Sequence, residues 1–266
     1  MKNFIKGFLA GIFNITPGLS GSILLVLLNL YDKCLYEISN IFKTPKQSIK
    51  FLLPIGIGII SGIFLFSNII FLLINNFKQE TFIVFTGFIL GTIPHLTKKS
   101  IKKGFNKKYL IPFFFTLTIG ISMSLIKNNN ISYFISYDIT YIIKYIFLGM
   151  ILSLGTIIPG ISSTILLSIF NLYGIYIISI AKFNILVLLP IAFGFFLMTF
   201  MLSKVINYLL KNYYSYVYFG ILGFAISTIP TLIDLNVNFN INILISIFLA
   251  AISSIITNFY LGYEKR

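Results

Sequence analysis

At 266 residues, with 58% apolar and 17% aromatic residues against only 10% charged ones, the chain lacks the composition of a soluble domain. Its net charge of +14 would fit nucleic acid only if basic residues and exposed aromatics shared a folded surface; here the lysines cluster in short loops between apolar runs, which points to orientation in a membrane and attraction to anionic headgroups, with no nucleic-acid partner. A single Cys34 excludes an internal disulfide, and one histidine with scattered acids offers no ligand cluster, so neither a metal nor another cofactor is expected.

Apolar runs lie near residues 4–31, 51–75, 81–97, 109–126, 140–173, 184–207, 216–233 and 241–261, most of them long enough to cross a hydrocarbon core of about 30 Å. The first run lacks a convincing signal-cleavage site. Sixteen tyrosines and no tryptophan leave Tyr to supply the interfacial belt. The first run, about 28 residues or roughly 42 Å as a helix, is too long for a simple span. Pro17-Gly18 breaks it into two arms of about a dozen residues, because proline removes a backbone donor and glycine admits unusual dihedrals.

The break belongs to a stretch that occurs twice, Thr16-Pro17-Gly18-Leu19-Ser20-Gly21-Ser22 and Ile158-Pro159-Gly160-Ile161-Ser162-Ser163-Thr164. Residues 7–31 and 149–173 are identical at 11 of 25 positions, and both end in the same tripeptide, Asn29-Leu30-Tyr31 and Asn171-Leu172-Tyr173. The similarity continues downstream, where Pro54, Gly58, Gly87 and Pro94 match Pro190, Gly194, Gly223 and Pro230.

If both broken runs are hairpins that return to the face they left, 16 of the 20 basic residues fall on the cytoplasmic side; if both span, the best division is 11 to 9. The positive-inside bias favours hairpins. Each half then has three further crossings, an odd number, so the repeats are inverted. The expected fold is an all-α polytopic membrane protein of two inverted repeats, 1–137 with hairpin 4–31 and 138–266 with hairpin 140–173. Each repeat is a re-entrant broken-helix hairpin plus three transmembrane helices, and both termini are cytoplasmic. Inverted repeats with discontinuous helices point to a secondary transporter whose substrate sits where the breaks meet.

After each Pro-Gly a helix should begin with unpartnered amides and nearby hydroxyls, a setting for an anion such as phosphate. The candidate substrate-binding residues are Thr16, Pro17, Gly18, Ser20, Gly21, Ser22, Pro159, Gly160, Ser162, Ser163 and Thr164. The plainer alternative is that Pro-Gly only turns the chain and the hydroxyls bond to backbone carbonyls. Asn29, Tyr31, Asn171 and Tyr173 are secondary candidates, with interfacial anchoring as the simpler role. Asp32, with Glu37 behind it, is the acidic residue nearest a hairpin and the candidate for coupling to H+ or Na+, against the simpler role of a solvated loop charge. His95 reads as a membrane-surface histidine. Hydroxyls beside no histidine or paired carboxylate lack a base, so an enzyme is not expected.

These residues resemble a known family. The segment from Gly11 through Thr16, Pro17, Gly18, Ser20, Gly21 and Ser22 to Asn29-Leu30-Tyr31, with Pro159, Gly160 and Ser162, is similar to the PopT-type polyprenyl-phosphate transporters; Ser22 and Ser163 stand where that family usually has glycine. The resemblance implies transport of undecaprenyl phosphate across the bacterial plasma membrane for recycling of the lipid carrier, with the headgroup at the paired hairpin tips and the isoprenoid tail in lipid. The alternatives are a transporter of another small anion and a membrane-bound lipid-phosphate-modifying enzyme.

Overall fold

The computed structural model describes residues 1–15, 20–125, 136–182, 184–232 and 241–263, and every regular element among them is helical. Helix α1 (Lys2–Ile15) leads through the first break to α2 (Gly21–Leu27) and α3 (Tyr31–Ser39). Then come α4 (Pro45–Asn76), α5 (Lys78–Ser100), a 3-10 turn at Lys107–Tyr109 and α6 (Leu110–Leu125). The second half follows the same order, with α7 (Ile139–Ile157), α8 (Ser163–Ile169), α9 (Tyr173–Ala181), α10 (Ile185–Asn212), α11 (Tyr214–Ser227), the short α12 (Ile229–Leu232) and α13 (Ile241–Tyr263). Helices α2 and α8 each have seven residues and α3 and α9 each nine.

Among the described residues, five stretches are long and apolar enough to cross a bilayer: Pro45–Ser67, Lys78–Ser100, Ile139–Ile157, Ile185–Asn212 and Ile241–Phe259. Their outer faces carry large exposed apolar side chains such as Phe64, Leu189, Phe193, Phe248 and Phe259, which water would not tolerate and lipid would. The chain is a polytopic membrane protein. Pro54, Pro94 and Pro190 sit inside helices, as such proteins allow. The run expected over 216–233 is instead interrupted at Thr228, and Pro230 takes an early position of α12, where its missing donor costs nothing.

The arms of the broken runs differ from the even halves expected. They have 14 and seven residues in the first copy and 19 and seven in the second, because each second arm stops at an asparagine. Asn29 and Asn171 have φ of 56° and 55°, a left-handed conformation that Asn accepts more readily than most residues. Around Asn29 the amide of Leu30 donates to Leu25 O at 2.9 Å and that of Asn29 to Val26 O at 3.2 Å. Leu172 to Leu167 O at 2.8 Å and Asn171 to Ser168 O at 3.0 Å repeat the pattern. This is the paired closure that ends a helix through a left-handed residue, and it gives the Asn-Leu-Tyr tripeptide a structural role: Asn turns the chain, Leu seals the end, and Tyr opens the next helix. Asn29→Gly should leave thermal stability in detergent nearly unchanged, whereas Asn29→Ala should cost about 1 kcal/mol.

Each second arm folds back along its first. Gly21 lies against Ala10 and Asn14 of α1, while seven residues later Leu28 O accepts from Lys6, nearer the start of α1. In the second copy, Ser163 lies against Gly155 and Phe170 packs on Phe147, so α8 also runs antiparallel to α7. Helix α1 is held on α4 by missing side chains. A Cβ on Gly7 or Gly11 would lie 2.3 or 2.2 Å from Ile55 O or Ile59 O of α4, and one on Gly58 or Gly62 would lie 2.3 or 2.2 Å from Phe4 O or Phe8 O of α1. Two small-xxx-small faces thus meet backbone to backbone, the usual way apolar helices associate where no hydrophobic force separates protein from lipid. Gly149 and Gly194 do the same between α7 and α10. The later helices are exchanged between halves: α5 packs on α13 and α6 on α11.

The largest apolar core surrounds α2. Val26 and Leu27 are fully buried among Leu35 of α3, Ile55 of α4, Leu96 of α5, Ile157 of α7, and Tyr218 and Ala225 of α11. A smaller core surrounds α8, where Leu167 packs among Tyr145, Leu148, Ile175 and Val187. The short second arms therefore occupy the centres of the molecule.

Candidate functional site

Thr16, Pro17 and Gly18 lie outside the described residues. Beyond them Ser20, in extended conformation, precedes the first turn of α2. Its hydroxyl is not turned onto the amides of its own helix; it lies 2.7 Å from that of Ser22, and both serines are buried. Gly21 lets α2 approach α1, since a Cβ there would lie 2.7 Å from Ala10 O. In the second copy Pro159 is followed by Gly160 with φ of 90°, a conformation open to glycine, and a Cβ there would lie 2.6 Å from Phe224 Cβ. Ser162 takes the same extended position before α8 as Ser20 before α2. The Ser163 hydroxyl lies 3.4 Å from that of Thr156 on α7; the side chain of Thr164 is outside the described ones.

A cavity of about 440 Å³ receives Ser22 from the first break and Thr156 and Ile157 from the helix that runs into the second. Thr199 of α10 lines it too, and its hydroxyl is 2.8 Å from that of Ser153. Ser22, Thr156 and Thr199 thus bring hydroxyl-bearing side chains from both halves to a cavity that is otherwise walled by apolar side chains, chiefly of α3, α4 and α10. Ser162 does not face this space. It lines a separate cavity of about 20 Å³ with Gly160, Ser227 and Thr228, room for about one water. Sequence reasoning missed Thr156, Ser153 and Thr199. Thr156 precedes Pro159 by three residues, where Asn14 precedes Pro17 by three, a match in polarity that identity alone did not reveal.

Tyr31 is buried, and its hydroxyl donates to Ile157 O at 3.0 Å, tying the start of α3 to the end of α7, just before the second break. Burial pushes its phenol above the ordinary range, with Asp32 adding to the effect. Tyr173 is half-buried against the second core. Cys34 also lines the large cavity; burial, with Glu37 next and Lys33 opposing, pushes its thiol up to about 12.

The far end of α2 holds a charge cluster. Lys6 Nζ donates to Leu28 O at 3.1 Å and Lys99 Nζ to Val26 O, so two ammonium groups meet the negative end of the helix. Asp32 accepts from the Tyr218 hydroxyl at 2.7 Å, and Lys99 sits 5.6 Å from the same ring's centroid. Asp32 is thus half-buried and held rather than a solvated loop charge, and Glu37 is buried with Ser48 donating to it at 2.9 Å. His95, expected at the surface, is buried in α5. Lys99 was hidden among six lysines; it follows His95 by four residues and Leu96 by three, which places it on the buried face of α5. The repeat-related positions do not form a second such cluster, with Leu148, Gly174 and Phe82 matching Lys6, Asp32 and Tyr218. Lys99→Met should lower stability by about 2 kcal/mol, the worth of a charged hydrogen bond to a buried carbonyl, as read from unfolding in detergent.

A family model described as undecaprenyl phosphate translocase-like matches residues 1–102 and 154–246. The chain is 30% identical to a Staphylococcus aureus protein named polyprenyl-phosphate transporter, over 85% of this chain and 84% of that protein. No solved structure matches. Both descriptions are those of carriers rather than enzymes.

Proposed function

The chain belongs to the undecaprenyl phosphate translocase-like family, and from that premise we propose that it carries a polyprenyl phosphate across the bacterial plasma membrane, its headgroup held where the two chain breaks meet. The observation that carries this reading is the single cavity reached by Ser22 from one half and Thr156 from the other. On binding, their hydroxyls, with Ser20 and Ser163 next to them, would turn to phosphate oxygens, Thr156 leaving Leu152 O, to which it donates at 2.8 Å, and the Ser20–Ser22 pair opening. Thr16, Pro17, Gly18, Gly21, Pro159, Gly160, Ser162 and Thr164 shape the two turns. In this reading residues 1–137 and 138–266 are inverted repeats, each a re-entrant hairpin followed by three crossings, with both termini cytoplasmic. The antiparallel packing of α2 on α1 and of α8 on α7 supports it, as does the lysine distribution. Asp32, held by Tyr218, is the carboxylate through which H+ or Na+ would couple.

The test is leaflet accessibility of polyprenyl phosphate in proteoliposomes. Lipid sealed in the inner leaflet should become reachable by an external reagent only when the protein is present, with no inorganic phosphate released. Accessibility equal to that of empty liposomes defeats the proposal, and phosphate release would make the protein an enzyme.

A further inference from the structure

Ser22, Thr156 and Thr199 are a small part of the large cavity's lining, and its other walls constrain the portion of a ligand joined to the headgroup. Leu35 and Ile38 of α3, Leu52 and Ile55 of α4, and Phe195 and Phe200 of α10 are all apolar. Helices α4 and α10 face each other across this space without packing together. Among its lining residues Phe42 is 81% exposed and Phe196 68% exposed, so the cavity wall reaches the outer surface of the protein there and leaves an opening. Phe42 and Phe200 meet edge to face at 5.0 Å and set one edge of that opening. Gly56 lines the wall, and a Cβ there would meet nothing within 4 Å. Unlike Gly7 or Gly58, this glycine packs against no neighbouring helix; its missing side chain is part of the open volume.

Resting on the proposed function, we propose that this groove between α3, α4 and α10 binds the isoprene units nearest the phosphate, and that Gly56 keeps it open. A cavity of about 150 Å³ holds one benzene, so about 440 Å³ holds the phosphate and roughly two five-carbon units. The rest of the chain stays in lipid through the sideways opening. Bilayer and groove are equally apolar, so the selection comes from packing a branched, partly rigid chain against aromatic walls and not from hydrophobic transfer.

The test uses two polyprenyl phosphates in nanodiscs, one with a photoreactive diazirine on the second isoprene unit from phosphate and one with it at the far end. The near probe should label α4 and α10 around Gly56 and Phe196 and be competed by unlabelled polyprenyl phosphate; the far probe should not label them. Gly56→Phe should cut that near-probe labelling at least tenfold, while Ile60→Phe, on the exposed face of α4, should leave it unchanged. Phe200→Ala, which removes bulk from the opposite wall instead of adding it, should broaden the labelled positions. Near-probe labelling confined to outer faces such as that of α13, or groove labelling unchanged in Gly56→Phe and Phe200→Ala alike, overturns the groove. Absence of any competable labelling by either probe overturns the lipid-phosphate reading itself.

Discussion

Replacing Ser22 and Thr156 together with Ala should weaken polyprenyl-phosphate binding by about 3 kcal/mol, roughly a hundredfold or more in Kd. In the proposed complex each hydroxyl exchanges its present partner, Leu152 O for Thr156 and Ser20 for Ser22, for a charged oxygen, and a charge-assisted hydrogen bond is worth about twice a neutral one. Neither change removes bulk from a core, because both side chains line the cavity. Stability should fall by about 1 kcal/mol, because the buried Ser20 hydroxyl loses its Ser22 partner, and the loss in lipid binding should be the larger of the two. Each single substitution should cost less than half of the double loss, since the remaining hydroxyl can still approach the phosphate. Ser162→Ala, by contrast, should change binding little, because that serine faces the water-sized space. A double variant that binds as tightly as the parent would remove the hydroxyls from the mechanism.

Gly11→Leu should cost about 3 kcal/mol or more of stability, the upper range for forcing extra atoms into a packed contact. The first atom of any side chain there would lie 2.2 Å from Ile59 O, a backbone oxygen that cannot rotate away. Helices α1 and α4 would have to separate, and Gly7 and Gly58 would lose their close approach as well. Because α2 lies against α1 and α4 walls the cavity, the same change should reduce transport more steeply than folded yield. Gly56→Leu on the same helix meets open space and should leave stability nearly unchanged, even though it fills the groove. Thermal unfolding of the two variants in one detergent gives the comparison, and equal destabilisation would show that α1 and α4 are not locked in this way.

Much of the architecture was legible because the signals were one-dimensional. Apolar run length marked the long helices, and Pro17-Gly18 and Pro159-Gly160 marked where two of them stop. The doubled Asn-Leu-Tyr announced a repeated element, but not its role. Only backbone dihedrals and the amide bonds of Leu30 and Leu172 show that the asparagines end helices. The site was harder to read because it depends on which face of a helix looks inward. Ser20 and Ser162 occupy matching sequence positions yet have different surroundings, while Thr156 and Thr199 carried no motif and reach the main cavity through helix packing. Lys6, Lys99, Asp32 and Tyr218 come from distant parts of the chain, so no local pattern could assemble them.

The most direct measurement is protection of two engineered thiols. Ser22→Cys and Thr156→Cys, each placed in a Cys34→Ala chain because Cys34 lines the same cavity, are treated with a small maleimide with and without polyprenyl phosphate. One headgroup bound between the two breaks should shield both thiols at the same lipid concentration. Protection of only one of them, or of neither, would show that the breaks do not share a phosphate.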